Sequence, residues 1–137
     1  RPSADYAREI EVLAQAVRNH RRRGLPYALI GRSFGGRIAT LLAQYKPPDA
    51  LVVLGYPIRP PGKRRLRDEE ALAAVRCPTL VVQGTRDELG PLRTLRSIAK
   101  QNPRIELHTL TGAGHSFGRK EGPALDAAAQ WVDRLWR

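Results

Sequence analysis

The sequence predicts an α/β fold, in which a parallel sheet of about four strands has helices on both faces. Segments with helical periodicity alternate with short apolar runs along the chain, and such alternation is typical of strands joined by right-handed helical crossovers. The central runs are continuously apolar, which is the pattern of strands covered on both faces. In a sheet of this kind, ligand sites lie at the carboxyl ends of the strands.

The first helix is predicted to begin at Ser3, a favourable N-cap, and to end near Gly24. Its apolar side chains recur at helical spacing, on Tyr6, Ile10, Leu13 and Val17. The Pro47-Pro48 pair ends the second helix, and Pro91 suits the first turn of the fourth. The same periodicity predicts the remaining helices around Ile38–Tyr45, Asp68–Val75, after Pro91, and around Leu125–Trp136.

Short apolar runs bounded by turn-forming residues predict the strands. They are Tyr27–Ile30, Leu51–Leu54, Thr79–Gln83 and Arg104–Leu110. Turn-prone segments follow these strands, and candidate functional residues are expected in them.

A candidate nucleophile follows the first predicted strand. Residues Gly31-Arg32-Ser33-Phe34-Gly35 match the pattern G-x-S-x-G, in which a sharp strand-to-helix turn exposes the serine. Glycines at 31 and 35 would leave room for that turn and for the close approach of neighbouring backbone, and Gly36 would let the helix start tightly. The Phe34 N–H, at the helix N-terminus, is predicted to meet the oxyanion of a tetrahedral intermediate.

A serine hydroxyl is a weak nucleophile until a base accepts its proton, so a histidine is required. His20 lies in the basic end of the first helix and His108 lies inside the fourth strand, so neither is expected at a strand end. His115 follows the fourth strand in a glycine-rich loop. It is therefore the predicted base.

An acid must orient that histidine. The candidate is Asp87, which follows the third strand. Glu88 is its main rival, and the segment after the second strand, Gly55–Ile58, has no carboxylate. The alternative interpretation is that the glycines serve only turns and that Ser33, Asp87 and His115 cap helices.

The three candidates occur in the chain order Ser33, Asp87, His115, each at the end of a different strand. In this order the sequence resembles the α/β-hydrolase superfamily, in its dienelactone-hydrolase-like branch. The segments that carry the resemblance are Gly31–Ser33, Gly55–Pro57, Leu66–Glu69, Gly84–Asp87 and Gly114–Ser116. The resemblance covers nearly the whole chain. It implies an esterase-like or thioesterase-like serine hydrolase that forms an acyl-enzyme, with Ser33 as nucleophile, His115 as base, Asp87 as acid, and no metal or organic cofactor.

The family has a larger sheet, so we expect residues 1–137 to be a single, incomplete α/β-hydrolase domain that corresponds to the C-terminal half of the fold. The lack of methionine agrees with a chain that starts partway through that domain. Family members take a second oxyanion donor from a loop after an early strand, so weak activity is expected of these residues alone. An uncovered edge on the first strand would favour self-association or pairing with a partner chain.

The chain is strongly basic, with 24 Lys and Arg against 13 Asp and Glu and a formal net charge of +11. The cations cluster at Arg18–Arg23 and Arg59–Arg67, which would suit nucleic acid, but no aromatic residues are interleaved for base stacking and no nucleic-acid motif occurs. No apolar run approaches the ~20 residues of a membrane span.

We therefore predict a cytoplasmic serine hydrolase with a small ester substrate. A hydrolase-like interaction module with a vestigial triad is the first alternative, and a basic nucleic-acid-binding domain is the weaker one. Tyr56 and Phe117 flank the predicted site and are expected to line the substrate pocket, although each suits the core equally well. The one cysteine, Cys77, is expected to be a buried hydrophobe.

Overall fold

The computed structural model describes residues 1–137 and has the predicted alternation of helices and strands. The strands are β1 (Ala28–Arg32), β2 (Ala50–Leu54), β3 (Thr79–Gly84) and β4 (Ile105–Leu110). They form one sheet in the spatial order β1-β2-β3-β4, and every neighbouring pair is parallel. The predicted fold class is confirmed.

The strands are preceded, joined and followed by helices. These are α1 (Ala7–His20), α2 (Phe34–Leu42), α3 (Leu66–Ala73), α4 (Leu92–Gln101) and α5 (Glu121–Leu135), with short 3-10 turns at Ala4–Tyr6 and Gly118–Lys120.

Helix α1 begins later than the predicted start at Ser3. Asp5 and Tyr6 have left-handed backbone conformations, with φ of 52° and 57°, so the α-helical backbone starts only at Ala7. Ser3 nevertheless binds the first turn, because its Oγ accepts a hydrogen bond from the Arg8 N–H at 3.1 Å. Ser3 also donates hydrogen bonds from its hydroxyl and its backbone N–H to Glu9, and these lower the pKa of that carboxyl.

The two faces of the sheet are covered unequally. Side chains of Leu51, Val53 and Val81 belong to a core shared with α2, α3 and α4. Their neighbours along the strands, including Val52 and Val82, point to the other face, where they pack against α5. This alternation follows from the two-residue period of a strand. Helices therefore lie on both faces as predicted, but α5 is the only helix on its face.

Strand β1 is an edge of the sheet and is poorly covered. Ile30 in β1 is 57% exposed, and Val12 on the neighbouring helix α1 is 65% exposed. A largely apolar cavity of about 560 Å³ lies between α1, β1 and the start of α2. Exposed apolar surface is thus present at the edge where the sequence predicts it.

A buried ion pair joins α2 to α3. Arg37 is 4% exposed and Asp68 is 3% exposed, and Arg37 Nε donates to Asp68 Oδ2 at 3.0 Å. Arg37 also donates to the Tyr6 hydroxyl at 2.9 Å, which connects the pair to the start of α1. Burial opposes the charge on Arg37, but the hydrogen bond to Tyr6 and the negative charge of Asp68 outweigh it and raise the pKa of the guanidinium.

None of the helices combines the length and the hydropathy that are needed to cross a membrane.

Candidate active site

Ser33 lies in the turn between β1 and α2, in a backbone conformation that non-glycine residues rarely adopt. Its φ is 52° and its ψ is −117°, and its N–H donates to the Leu54 carbonyl of β2 at 3.0 Å. Strained backbone of this kind is typical of functional positions. The turn places the hydroxyl at the carboxyl edge of the sheet.

Glycines make this turn sterically feasible. A Cβ on Gly31 would lie 2.6 Å from the backbone of Gly35 and Gly36, and a Cβ on Gly36 would lie 2.6 Å from Val53 Cγ1. These contacts agree with the expected roles of Gly31 and Gly36. At Gly35 a Cβ would meet nothing within 4 Å, so the expectation that this position leaves room for neighbouring backbone is wrong.

His115 comes to Ser33 from the loop after β4. The distance between Ser33 Oγ and His115 Nε2 is 2.7 Å. The imidazole passes close to Gly55 after β2, where a Cβ would lie 3.3 Å from His115 Cε1. His115 is half-buried, whereas His20 at the end of α1 and His108 in β4 are exposed. Of the three histidines, only His115 lies within hydrogen-bond distance of Ser33.

Asp87, after β3, lies on the far side of the imidazole. His115 Nδ1 donates to Asp87 Oδ2 at 2.8 Å, and the carboxyl side chain is 0% exposed. Its other oxygen, Oδ1, accepts the Leu89 N–H at 2.9 Å. The rival Glu88 is exposed. Because Asp87 accepts a proton held on Nδ1, the imidazole presents Nε2 as an acceptor to the Ser33 hydroxyl.

Phe34 is the first residue of α2. The N–H groups in the first turn of a helix have no intrahelical acceptor and lie at the positive end of the helix dipole. The Phe34 N–H immediately follows Ser33, so it is available at the position expected of an oxyanion donor. The Phe34 side chain is 40% exposed and packs edge-on against Tyr6.

The two aromatic residues expected in the substrate pocket lie in the core. Tyr56 is 0% exposed, its hydroxyl donates to the Asp68 carbonyl at 2.9 Å, and burial raises its pKa well above the ordinary range. Phe117 is 2% exposed and packs in the core beneath α5. Both side chains therefore occupy the core, which the sequence allowed equally well, and a substrate-binding role for either stays a prediction.

The two basic clusters do not form one surface patch. Arg21, at the end of α1, stacks on Tyr27, which leads into the amino end of β1. The cluster Arg59–Arg67 follows β2, at the carboxyl edge of the sheet. The clusters therefore lie at opposite ends of the strands.

Sequence reasoning missed Gln83 and the Arg37–Asp68 pair. For Gln83 and Arg37 the available signal was a polar side chain within a largely apolar segment, whereas Asp68 stands among other charged residues. Gln83 follows Leu80-Val81-Val82 in β3 and is 0% exposed, and its amide donates to Asp87 Oδ2 at 2.9 Å.

Comparison with known proteins decides the family. The family described as "Alpha/beta hydrolase domain" matches residues 1–134. The chain belongs to the α/β-hydrolase family. As a member it is a hydrolase, and the dienelactone-hydrolase-like branch stays a prediction.

Solved α/β-hydrolase structures share this fold. A putative hydrolase from Xanthomonas campestris is 23% identical with a TM-score of 0.73, and the match covers 92% of this chain and 68% of that one. A serine hydrolase involved in carbazole degradation is 18% identical with a TM-score of 0.71, and the match covers 100% of this chain and 74% of that one. An esterase domain from Rhodothermus marinus is 18% identical with a TM-score of 0.67, covering 92% and 67%. The hydrolase chain described here thus spans about two thirds to three quarters of these structures.

Proposed function

We propose that this chain is a serine hydrolase that cleaves a carboxylic ester or thioester through an acyl-enzyme. The observation that supports it best is the hydrogen-bonded series Ser33 Oγ, His115 Nε2, His115 Nδ1 and Asp87 Oδ2, with distances of 2.7 and 2.8 Å. In this proposal Ser33 is the nucleophile, His115 the general base and acid, and Asp87 the group that orients the imidazole.

In the first half-reaction, Ser33 Oγ attacks the carbonyl carbon while His115 Nε2 accepts the hydroxyl proton. The resulting imidazolium is stabilised by the buried Asp87 carboxylate. The oxyanion meets the Phe34 N–H at the start of α2, where the helix dipole favours negative charge. His115 then gives its proton to the leaving alcohol or thiol as the acyl-enzyme forms.

In the second half-reaction, water attacks the acyl-enzyme carbonyl, and His115 again accepts a proton. Collapse of the second tetrahedral intermediate releases the carboxylic acid and returns the proton to Ser33 Oγ. The proposed steps use the residues of this site and a water molecule, and a second oxyanion donor of the kind expected from the family would raise the rate. The proposal keeps the cytoplasmic location predicted from the sequence, where Cys77 would stay a reduced thiol.

Labelling with a fluorophosphonate probe tests the nucleophile, with Ser33→Ala as the matched control. We expect the wild-type chain to be labelled and the variant to remain unlabelled, since only an activated serine displaces fluoride from the probe. Equal labelling of both chains, or labelling of neither, would contradict the proposal.

Hydrolysis of short p-nitrophenyl esters tests the acid. Asp87→Asn removes the charge and favours the wrong histidine tautomer, which costs about 10⁴-fold in kcat in a comparable triad. Glu88→Gln is the control, because Glu88 is exposed and adjacent, and its activity should equal that of wild type. The reverse order of effects would make Glu88 the acid.

A second candidate is an interaction module that uses the uncovered β1 edge instead of the serine. The exposure of Ile30, at 57%, beside an apolar cavity favours it. Sedimentation velocity of wild type and Ile30→Lys tests this candidate through its simplest form, the pairing of two copies. Association by wild type that the charged variant abolishes would support it, and monomeric wild type at all concentrations would count against it.

A further inference from the structure

We infer that Gln83 is a positioning residue that holds the Asp87 carboxylate in the orientation required by His115. This inference rests on the proposed function. Gln83 makes no hydrogen bond with Ser33 or His115, and its fully buried side chain has no access to substrate. Its effect on the reaction would therefore act entirely through Asp87.

The hydrogen bonds of Gln83 fix the orientation of its amide. Gln83 Oε1 accepts the Tyr56 N–H at 2.8 Å, while Nε2 donates to Asp87 Oδ2 at 2.9 Å and to the Gly90 carbonyl at 2.8 Å. A further contact runs from Nε2 to the Tyr56 carbonyl at 3.3 Å. All three groups around Nε2 are acceptors and the group at Oε1 is a donor, so only one orientation of the amide satisfies them.

This amide connects two segments of the site. Tyr56 belongs to the segment after β2, and Asp87 and Gly90 belong to the loop after β3. A Cβ on Gly90 would overlap the Tyr56 carbonyl and lie 2.5 Å from Gln83 Nε2, so the loop closes over the amide only because residue 90 is glycine. Gln83 thus lies beneath the loop that carries the acid.

Gln83 and His115 donate to the same carboxylate oxygen, Asp87 Oδ2. The Leu89 N–H occupies Oδ1, so the carboxylate is held at both oxygens. Removing the Gln83 donor leaves Asp87 Oδ2 with His115 as its hydrogen-bond partner, so the carboxylate is held less firmly about its terminal torsion, which is a broad one in carboxylates. The imidazole would then have a less fixed partner to keep Nε2 directed at Ser33.

The test compares Gln83→Met and Gln83→Glu in the full chain, using hydrolysis of p-nitrophenyl acetate. We expect kcat to fall about 10- to 100-fold, which corresponds to one hydrogen bond to a charged group. The KM should not change, because Gln83 does not contact substrate.

Gln83→Glu adds a pH signature that loss of stability alone would not produce. When protonated, the introduced carboxyl keeps one donor for Asp87 Oδ2, but when ionised it repels the acid at hydrogen-bond distance. The activity of this variant relative to wild type should therefore decline with rising pH, as the introduced carboxyl ionises. Parallel pH profiles for the two chains would overturn the inference.

Asn102 provides the matched control, because it is also a buried amide that ties backbone segments together. Its Nδ2 donates to the Ala73 and Val75 carbonyls at 3.0 Å, and its Oδ1 accepts the Arg104 N–H, far from the acid. Asn102→Leu and Asn102→Asp should lower the melting temperature without lowering kcat. An equal loss of kcat in the Asn102 variants would show that Gln83 acts only through stability.

A second readout does not depend on turnover. Proton NMR detects the downfield resonance of the His115 Nδ1 proton, assigned by its loss in His115→Gln. We expect the resonance to shift or broaden in both Gln83 variants and to stay unchanged in Asn102→Leu; an unchanged resonance in Gln83→Met would overturn the inference.

If wild type shows no Ser33-dependent labelling, the proposed function fails, while the NMR comparison still decides the role of Gln83. If Gln83→Met does not fold, the isosteric Gln83→Glu provides the comparison at a pH where its introduced carboxyl is ionised and no longer donates to Asp87 Oδ2.

Discussion

Removing Asp68 should destabilise the fold severely, because it leaves the Arg37 guanidinium charged and buried. Both partners are less than 5% exposed, so water cannot replace the lost carboxylate. Breaking a buried pair by removing one partner costs ~3–5 kcal/mol. The hydroxyl of Tyr6 still accepts from Arg37 in Asp68→Ala, so we expect the lower end of that range.

The expected loss in the free energy of unfolding corresponds to a shift of the melting temperature. A chain of 137 residues has an unfolding entropy of about 0.3 kcal/mol/K near its midpoint, so a loss of ~3–5 kcal/mol lowers the midpoint by about 10–17 °C. Circular dichroism melts and urea titrations of wild type and Asp68→Ala measure the change independently.

The control is Asp133→Asn. Asp133 pairs with Arg137 at 2.6 Å, but the two side chains are 63% and 73% exposed. Exposed pairs contribute little, so this substitution should cost no more than ~0.5 kcal/mol. Equal effects of Asp68→Ala and Asp133→Asn would refute the reasoning from burial.

A double variant separates the missing charge from the missing volume. Arg37→Met combined with Asp68→Leu removes both charges and keeps apolar bulk, so it should recover most of the stability lost in Asp68→Ala. A double variant as unstable as Asp68→Ala would show that packing, not the unpaired charge, causes the loss.

The remaining predictions concern packing and the thiol. Gly36→Ala should cost about 1–3 kcal/mol in urea unfolding, because its Cβ meets Val53 Cγ1 at 2.6 Å, whereas Gly35→Ala should not destabilise the chain. Trp131→Ala should cost ~3–5 kcal/mol and Trp136→Ala far less, since the first side chain is 7% exposed and the second 40%. Burial raises the pKa of the Cys77 thiol above that of an unfolded cysteine, so its contribution to stability is present below the unfolded pKa and is lost as pH rises. Because Cys77 is buried, it should react with a thiol reagent only as fast as the chain unfolds. A rapid reaction in native buffer would contradict this burial.

The fold was predictable because its signals are local and repeated. Continuous apolar runs at β2 and β3 specify strands covered on both faces, and helical periodicity specifies the connections between them. The start of α1 was placed too early because its left-handed turn at Asp5 and Tyr6 leaves no mark in apolar spacing.

The site was predictable in part. The serine, the acid and the histidine each follow a strand, so the topology alone brings them to one edge, and the structure places them within hydrogen-bond distance. Tyr56 and Phe117 could not be assigned to the pocket or to the core from the sequence, because adjacency in sequence does not reveal which way a side chain points. Gln83 was missed because a buried amide is recognised by its partners in space, and these come from separate segments.

The strand order has a consequence for how the site is assembled during folding. Because β1, β2, β3 and β4 are neighbours in the same order as in the chain, the sheet can grow by adding one strand at a time to its existing edge, with short sequence separations between partners. Of these four strands, β1 emerges from the ribosome first and the serine follows it, whereas the acid follows β3 and the histidine follows β4. The hydroxyl therefore lacks its base until β4 docks, so a nascent chain cannot acquire this arrangement before these four strands have paired.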